Sequence, residues 1–117
     1  MQNFEVSDVL MVASVLDGEQ TVADATKRLR DWLEPMKARE ANFYFAVPWG
    51  TSVAEGYERL RMIGYLDGRK PQDRQPGIYV TSDLGKRWLR SRLVSFEESV
   101  GLPLSVLLEH AGLPMNV

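Results

Sequence analysis

The chain has 117 residues and a formal net charge of -2, with 44% hydrophobic and 26% charged residues. That length suits one core rather than two, and no stretch approaches the roughly 20 consecutive apolar residues that a membrane span requires. Cysteine is absent, which excludes disulfides, thiolate nucleophiles and sulfur-ligated metals.

The N-terminal "MQNFEVSD" carries acidic residues where a secretory signal has a basic region, so a cytoplasmic location is expected. After Ser7, a residue type suited to an N-cap, Val9, Val12, Ala13 and Leu16 recur at helical spacing until Asp17-Gly18. Val6, Leu10, Met11 and Val15 extend the apolar surface of this first helix nearly all the way round. Such a helix is either central to a core or shared with a second subunit. Thr21 and Asp24 have capping-box spacing at the start of a second helix, whose buried stripe is Val22, Ala25, Leu29, Trp32 and Leu33. Pro35 should end or kink it.

"NFYFAVPWG", residues 42–50, reads as an extended connection or short strand, its aromatics either packed in the core or free to stack on bases. In "TSVAEGYERLRMIG" a third helix follows a cap at Thr51 or Ser52. Val53, Tyr57, Leu60 and Gly64 share one face, with Ser52, Glu55 and Arg59 on the other. Arg61 is expected either to pair with Glu58 or Asp67 or to touch DNA. The period then changes to extended: "YLDGRK", a turn-rich "PQDRQPG" and "IYVT" form a hairpin whose loop gathers Arg69, Lys70 and Arg74. A fourth helix begins near Ser82 or Asp83 and carries Leu89, Leu93, Phe96 and Val100 at i, i+4, i+7 and i+11. Pro103 and Gly112 frame a last segment with Leu104, Leu107, Leu108 and Ala111 on one side. Residues 1–100 are therefore expected to form one domain, fourth helix included, and 101–117 a short helical extension.

The charge is unevenly spread. Between Arg59 and Arg92 nine cations face only Asp67, Asp73 and Asp83, so the rest of the chain is strongly acidic. A basic segment on an acidic protein can turn one face toward a polyanion while the remainder repels it. The only histidine, His110, has no G-x-S-x-G elbow to partner, and Glu97-Glu98 point apart on a helix. Neither enzymatic chemistry nor a cofactor is expected.

Three helices, a basic-tipped hairpin and a further helix make the fold class mainly α with a small β-hairpin, an α+β winged helix-turn-helix with extra terminal helices. In that architecture the third helix enters a major groove of double-stranded DNA with Thr51, Ser52, Glu55 and Arg59. Arg59 is the best base reader, because its fork matches the two acceptors of guanine. Arg69, Lys70 and Arg74 on the wing would hold phosphates. Arg87, Arg90 and Arg92 have the simpler role of solubilising the last long helix. Leu10 and Val15 on the first helix, with Leu89, Leu93, Phe96 and Val100 on the fourth, exceed what one core needs, so a homodimer is expected to bury them.

"GTSVAEGYERLRMIGYLDGR" followed by "GIYVTSDLGKRWL" resembles the PadR family of bacterial transcription regulators more than the related MarR-type regulators. The matching steps are Gly50-Thr51, Arg59-Leu60, Gly64-Tyr65-Leu66 and Tyr79-x-Thr81 through Gly85, within a span from Val9 to Leu93. Thr51-Ser52-Val53 stands where the family has Thr-Leu-Tyr. The resemblance implies a homodimer that pairs through its terminal helices and represses from an inverted-repeat operator. Some members of that family hold small aromatic molecules near the dimer interface, and Trp32, Trp49 and Trp88 offer flat surfaces for such an effector or for core packing. The alternative is a winged helix that docks on another protein and never binds DNA.

Overall fold

The computed structural model describes residues 3–38, 44, 45, 47–50 and 52–92. In chain order these form α1 (Asn3–Ser14), β1 (Gln20–Thr21), α2 (Val22–Leu33), a 3-10 turn (Glu34–Met36), α3 (Ser52–Ile63), β2 (Leu66–Arg69), β3 (Ile78–Thr81) and α4 (Asp83–Ser91). The class is α+β, with four α-helices and one three-stranded antiparallel sheet among the described residues. None of these helices is long and apolar enough to cross a membrane.

α1 is the central element. Every side chain from Val9 to Val15 is at most 1% exposed, which is why its apolar residues show no single stripe. Leu10 and Val15 were expected at a dimer contact, but both are fully buried by their own chain, as is Leu89 on α4. The apolar surplus at these three positions is absorbed by the core. Ser7 is not an N-cap either: α1 begins at Asn3, and the Ser7 hydroxyl donates along the helix to the Met11 sulfur at 3.6 Å.

Thr21 caps α2 as expected, its hydroxyl accepting from the Asp24 N–H at 3.2 Å, and Ala25, Leu29, Trp32 and Leu33 are buried. The helix stops before Pro35. No strand follows in the described part of residues 42–50, because Tyr44 and Phe45 have helical backbone. The Tyr44 carbonyl accepts from the Trp49 indole at 2.7 Å, which folds the aromatic segment onto itself instead of extending it.

α3 ends in a Schellman motif. Gly64 sits at φ 104°, with Tyr65 N–H donating to the Leu60 carbonyl at 3.0 Å and Gly64 N–H to the Arg61 carbonyl at 3.0 Å. Ser82 then joins this turn to α4. Its hydroxyl donates to the Gly64 carbonyl at 2.5 Å while accepting from Gly85 N–H at 2.9 Å, and its own N–H donates to the Tyr65 carbonyl at 3.1 Å. The Tyr65 and Trp88 rings stack at 4.6 Å above the junction.

The hairpin β2–β3 pairs Leu66 with Thr81 through Arg69 with Ile78, and β1 adds to the far edge of β3 through Gln20 with Tyr79 and Thr21 with Ile78. Sequence periodicity missed β1, since two residues show no alternation. Leu93, Phe96 and Val100 of the expected fourth helix, and the segment 101–117, lie outside the described residues; α4 itself is closed by Arg92.

The junction yields a stability test. A Cβ on Gly85 would stand 2.1 Å from the Tyr65 carbonyl oxygen, a backbone atom that cannot yield without opening the turn. Gly85→Ala is expected to destabilise by about 2 to 3 kcal/mol, seen as a fall in melting temperature of roughly 10 °C. Gly18→Ala, where a Cβ meets nothing, is the control and should melt like the wild type.

Candidate nucleic-acid interface

α3 buries Val53, Tyr57 and Leu60 on one side, so its opposite side is outward. Tyr57 fixes this orientation. The Ser14 hydroxyl gives its single proton to the Met11 carbonyl at 2.6 Å, so the contact between Tyr57 and Ser14 hydroxyls, also 2.6 Å, is donated by the tyrosine. Burial pushes the Tyr57 hydroxyl well above its ordinary range, which keeps that proton in place.

On the outer side Ser52, Glu55 and Arg59 are exposed, as expected; Thr51 lies outside the described residues. Glu55 stands in the first turn of α3, where a carboxylate suits the helix dipole. Arg59 is not free. Its Nη2 donates to Asp8 Oδ1 of α1 at 2.5 Å. Arg61 is also engaged: Nε and Nη2 both donate to the Glu58 carboxylate, at 3.1 and 2.6 Å.

Glu58 connects α3 to the hairpin. Besides Arg61 it accepts from the Tyr79 hydroxyl of β3 at 3.0 Å. The Arg61 hydrogen bonds hold the Glu58 carboxyl below its ordinary value of 4.5, helped by Tyr79 and the charge of Lys70 and opposed by burial. The Tyr79 hydroxyl is pushed up to about 12, first by burial and then by the Glu58 carboxylate, so it remains a donor. A long-range tie thus sets the angle between helix and hairpin. Sequence spacing offered Glu58 as a partner for Arg61 but nothing that pointed to Tyr79.

Arg69, Lys70 and Arg74 are all exposed on this hairpin, and none of them makes an ion pair among the described residues. At its tip Gln72 and Gln75 exchange both backbone hydrogen bonds, at 3.1 and 2.6 Å, around Asp73 and Arg74. Asp73 takes φ 41°, a left-handed conformation that Asp tolerates better than most residues. Close strand approach needs Gly68: it lies at φ 132°, and a Cβ there would fall 1.8 Å from the Ile78 carbonyl oxygen. The backbone therefore presents the three cations on a defined ribbon.

No protein-family model matches the chain, and neither curated proteins nor solved structures give a match. The likeness to PadR regulators rests on the sequence motifs alone.

An exposed apolar group adjoins the same end of α3. Met62 is 76% exposed, Ile63 49% and Leu84 43%, with Leu84 packed beside Gly64. The three tryptophans are less available than their flat surfaces suggested. Trp32 is buried, Trp88 is stacked on Tyr65, and Trp49 packs on Tyr44 with the Arg30 guanidinium 5.4 Å above its ring. Trp32 does line an open cavity of about 490 Å³ along α2, shared with Gln20, Asp24, Lys27, Arg28, Asp31 and Pro35.

The Glu58 tie has a pH signature. Because its folded-state pKa is depressed, the stability it contributes is complete above the unfolded value of 4.5 and is lost as pH falls through the folded value. Glu58→Gln should cost about 1 kcal/mol at pH 7. The gap in melting temperature from wild type should narrow in the acid range, below pH 4.5. A gap of constant size from pH 7 to the acid limit of folding would show that the carboxylate charge contributes nothing.

Proposed function

We propose that the chain is a DNA-binding transcriptional regulator of the winged helix-turn-helix type, with α3 in the major groove and β2–β3 as the wing. The observation that carries this reading is the set of three exposed cations without ion-pair partners among the described residues, Arg69, Lys70 and Arg74, on a hairpin tied to α3 through Tyr79 and Glu58. Exposed cations on a loop can simply be solvated, but those that meet phosphates release counterions from them, which favours binding. The resemblance to PadR regulators supports the same reading and adds a homodimer that represses from an inverted repeat, in the cytoplasm.

In this reading binding weakens steeply with salt. Changing Arg69, Lys70 and Arg74 together to Ala should flatten the log-log salt dependence by about one unit for each phosphate no longer neutralised, roughly three in all. Fluorescence anisotropy on a labelled duplex measures it, and an unchanged slope would remove the wing from the interface.

Dimerisation in this reading falls to the residues after α4. Leu93→Glu with Phe96→Glu should halve the mass seen by light scattering and weaken operator binding, since two recognition helices must sit about 34 Å apart on one face of DNA. A wild-type protein that is monomeric at micromolar concentration would refute the pairing.

One observation favours a protein-docking module instead. Both arginines of α3 are neutralised by acids, Glu55 is exposed one turn before Arg59, and Met62, Ile63 and Leu84 are exposed apolar residues at or after the C-terminal end of the helix. Purified protein that ignores heparin and random duplex DNA at low salt would decide for this second reading.

A further inference from the structure

Arg59 and Asp8 form a pair whose placement goes beyond charge balance. α1 and α3 come close at Gly56, where a Cβ would stand 2.7 Å from the Met11 terminal methyl. Asp8 lies three residues before Met11 and Arg59 three residues after Gly56, so both extend from that crossing along facing ridges. The Asp8 side chain is only 16% exposed and sits on the most buried helix of the fold, whereas Arg59 is 48% exposed and reaches outward. A fixed carboxylate therefore grips a guanidinium from behind.

Only one hydrogen bond is used among the described residues, Nη2 to Oδ1. A guanidinium has five N–H groups, so four remain, enough for a two-pronged approach to the O6 and N7 acceptors of guanine. The grip removes the rotamer freedom that a long side chain otherwise loses on binding. It also neutralises the local charge, so the pair contributes little to sequence-independent attraction. Wing and helix thereby divide the work: free cations for phosphates, a clamped one for a base edge.

We propose that Asp8 is a positioning residue that orients Arg59 to read a guanine in the major groove, an inference that rests on the DNA-binding reading. Its signature is a split between two quantities. Loss of Asp8 should lower discrimination for guanine while leaving binding to random duplex equal or tighter, because a carboxylate near phosphates is removed. A merely structural role would lower both together through unfolding.

The test begins by selecting duplexes from a randomised library with the wild-type protein. Affinity is then measured for the selected duplex and for versions carrying 7-deazaguanine, which lacks the N7 acceptor, at each guanine in turn. Wild type should lose about tenfold at one guanine, and Arg59→Ala should be indifferent to the change there. Asp8→Asn should lose less than threefold at that guanine and bind random duplex at least as well as wild type. Asp8→Glu, which keeps the charge, should retain more of the discrimination than Asp8→Asn. Full tenfold discrimination by Asp8→Asn would overturn the proposal, as would 7-deazaguanine effects in Arg59→Ala equal to those in wild type. A wild-type protein that enriches no sequence and binds no random duplex would instead defeat the DNA-binding reading itself.

Discussion

The fold depends on how the buried C-terminal end of α1 satisfies its carbonyl groups. A helix end leaves its last carbonyls without intrahelical donors, and one that is buried cannot use water. Each carbonyl here has found a partner. Met11 accepts from the Ser14 hydroxyl, Val12 from the Thr81 hydroxyl at 2.7 Å and Ala13 from Leu16 N–H at 3.2 Å; Ser14 accepts from Arg28 at 3.0 Å and Val15 from Thr81 N–H at 3.1 Å. The donors come from α1 itself, from α2 and from β3, while Tyr57 of α3 hooks on through Ser14. One helix end thus fixes the positions of α2, α3 and the sheet. Arg28 also pairs with Asp17, which anchors the turn leaving α1 to the side of α2.

This dependence explains which features were legible in the sequence. Local signals succeeded where the physics is local: Thr21 capping α2 and Ser82 starting α4 each act on residues within a few positions. Ser7 failed for the same reason in reverse. It has the right chemistry for a cap, but the helix extends past it because burial of the following apolar residues, not capping, decides where α1 sits. Apolar periodicity also identified the α1 surface correctly and misassigned its cover. A helix apolar all round can be enclosed by its own chain or by a partner, and periodicity cannot distinguish the two; full burial of Leu10 and Val15 chooses the first.

Candidate site residues divide along the same line. The exposed positions Ser52, Glu55, Arg59, Arg69, Lys70 and Arg74 follow from helical phase and loop composition, both local properties. Their partners do not. Asp8 stands 51 positions from Arg59 and Tyr79 stands 21 from Glu58, and neither separation leaves a pattern in one sequence. Counting cations along the chain was therefore a poor guide to available charge, because two of the nine are already matched by acids on α1 and α3.

What remains after that matching defines the electrostatic character of the molecule. A phosphate that approached Arg61 would have to displace a carboxylate already held by two donors, whereas at the wing it would meet cations with no ion pair to break among the described residues. The hairpin is therefore one place where an anion meets cations with no competing carboxylate among the described residues. Glu55 sharpens the contrast. It is favoured by the N-terminal end of α3 but repels any phosphate brought close, and among base edges in the major groove it can accept from the cytosine amine. A helix built this way penalises most DNA it touches, so under the DNA-binding reading affinity is supplied by the wing, and α3 acts chiefly by rejecting the wrong sequences.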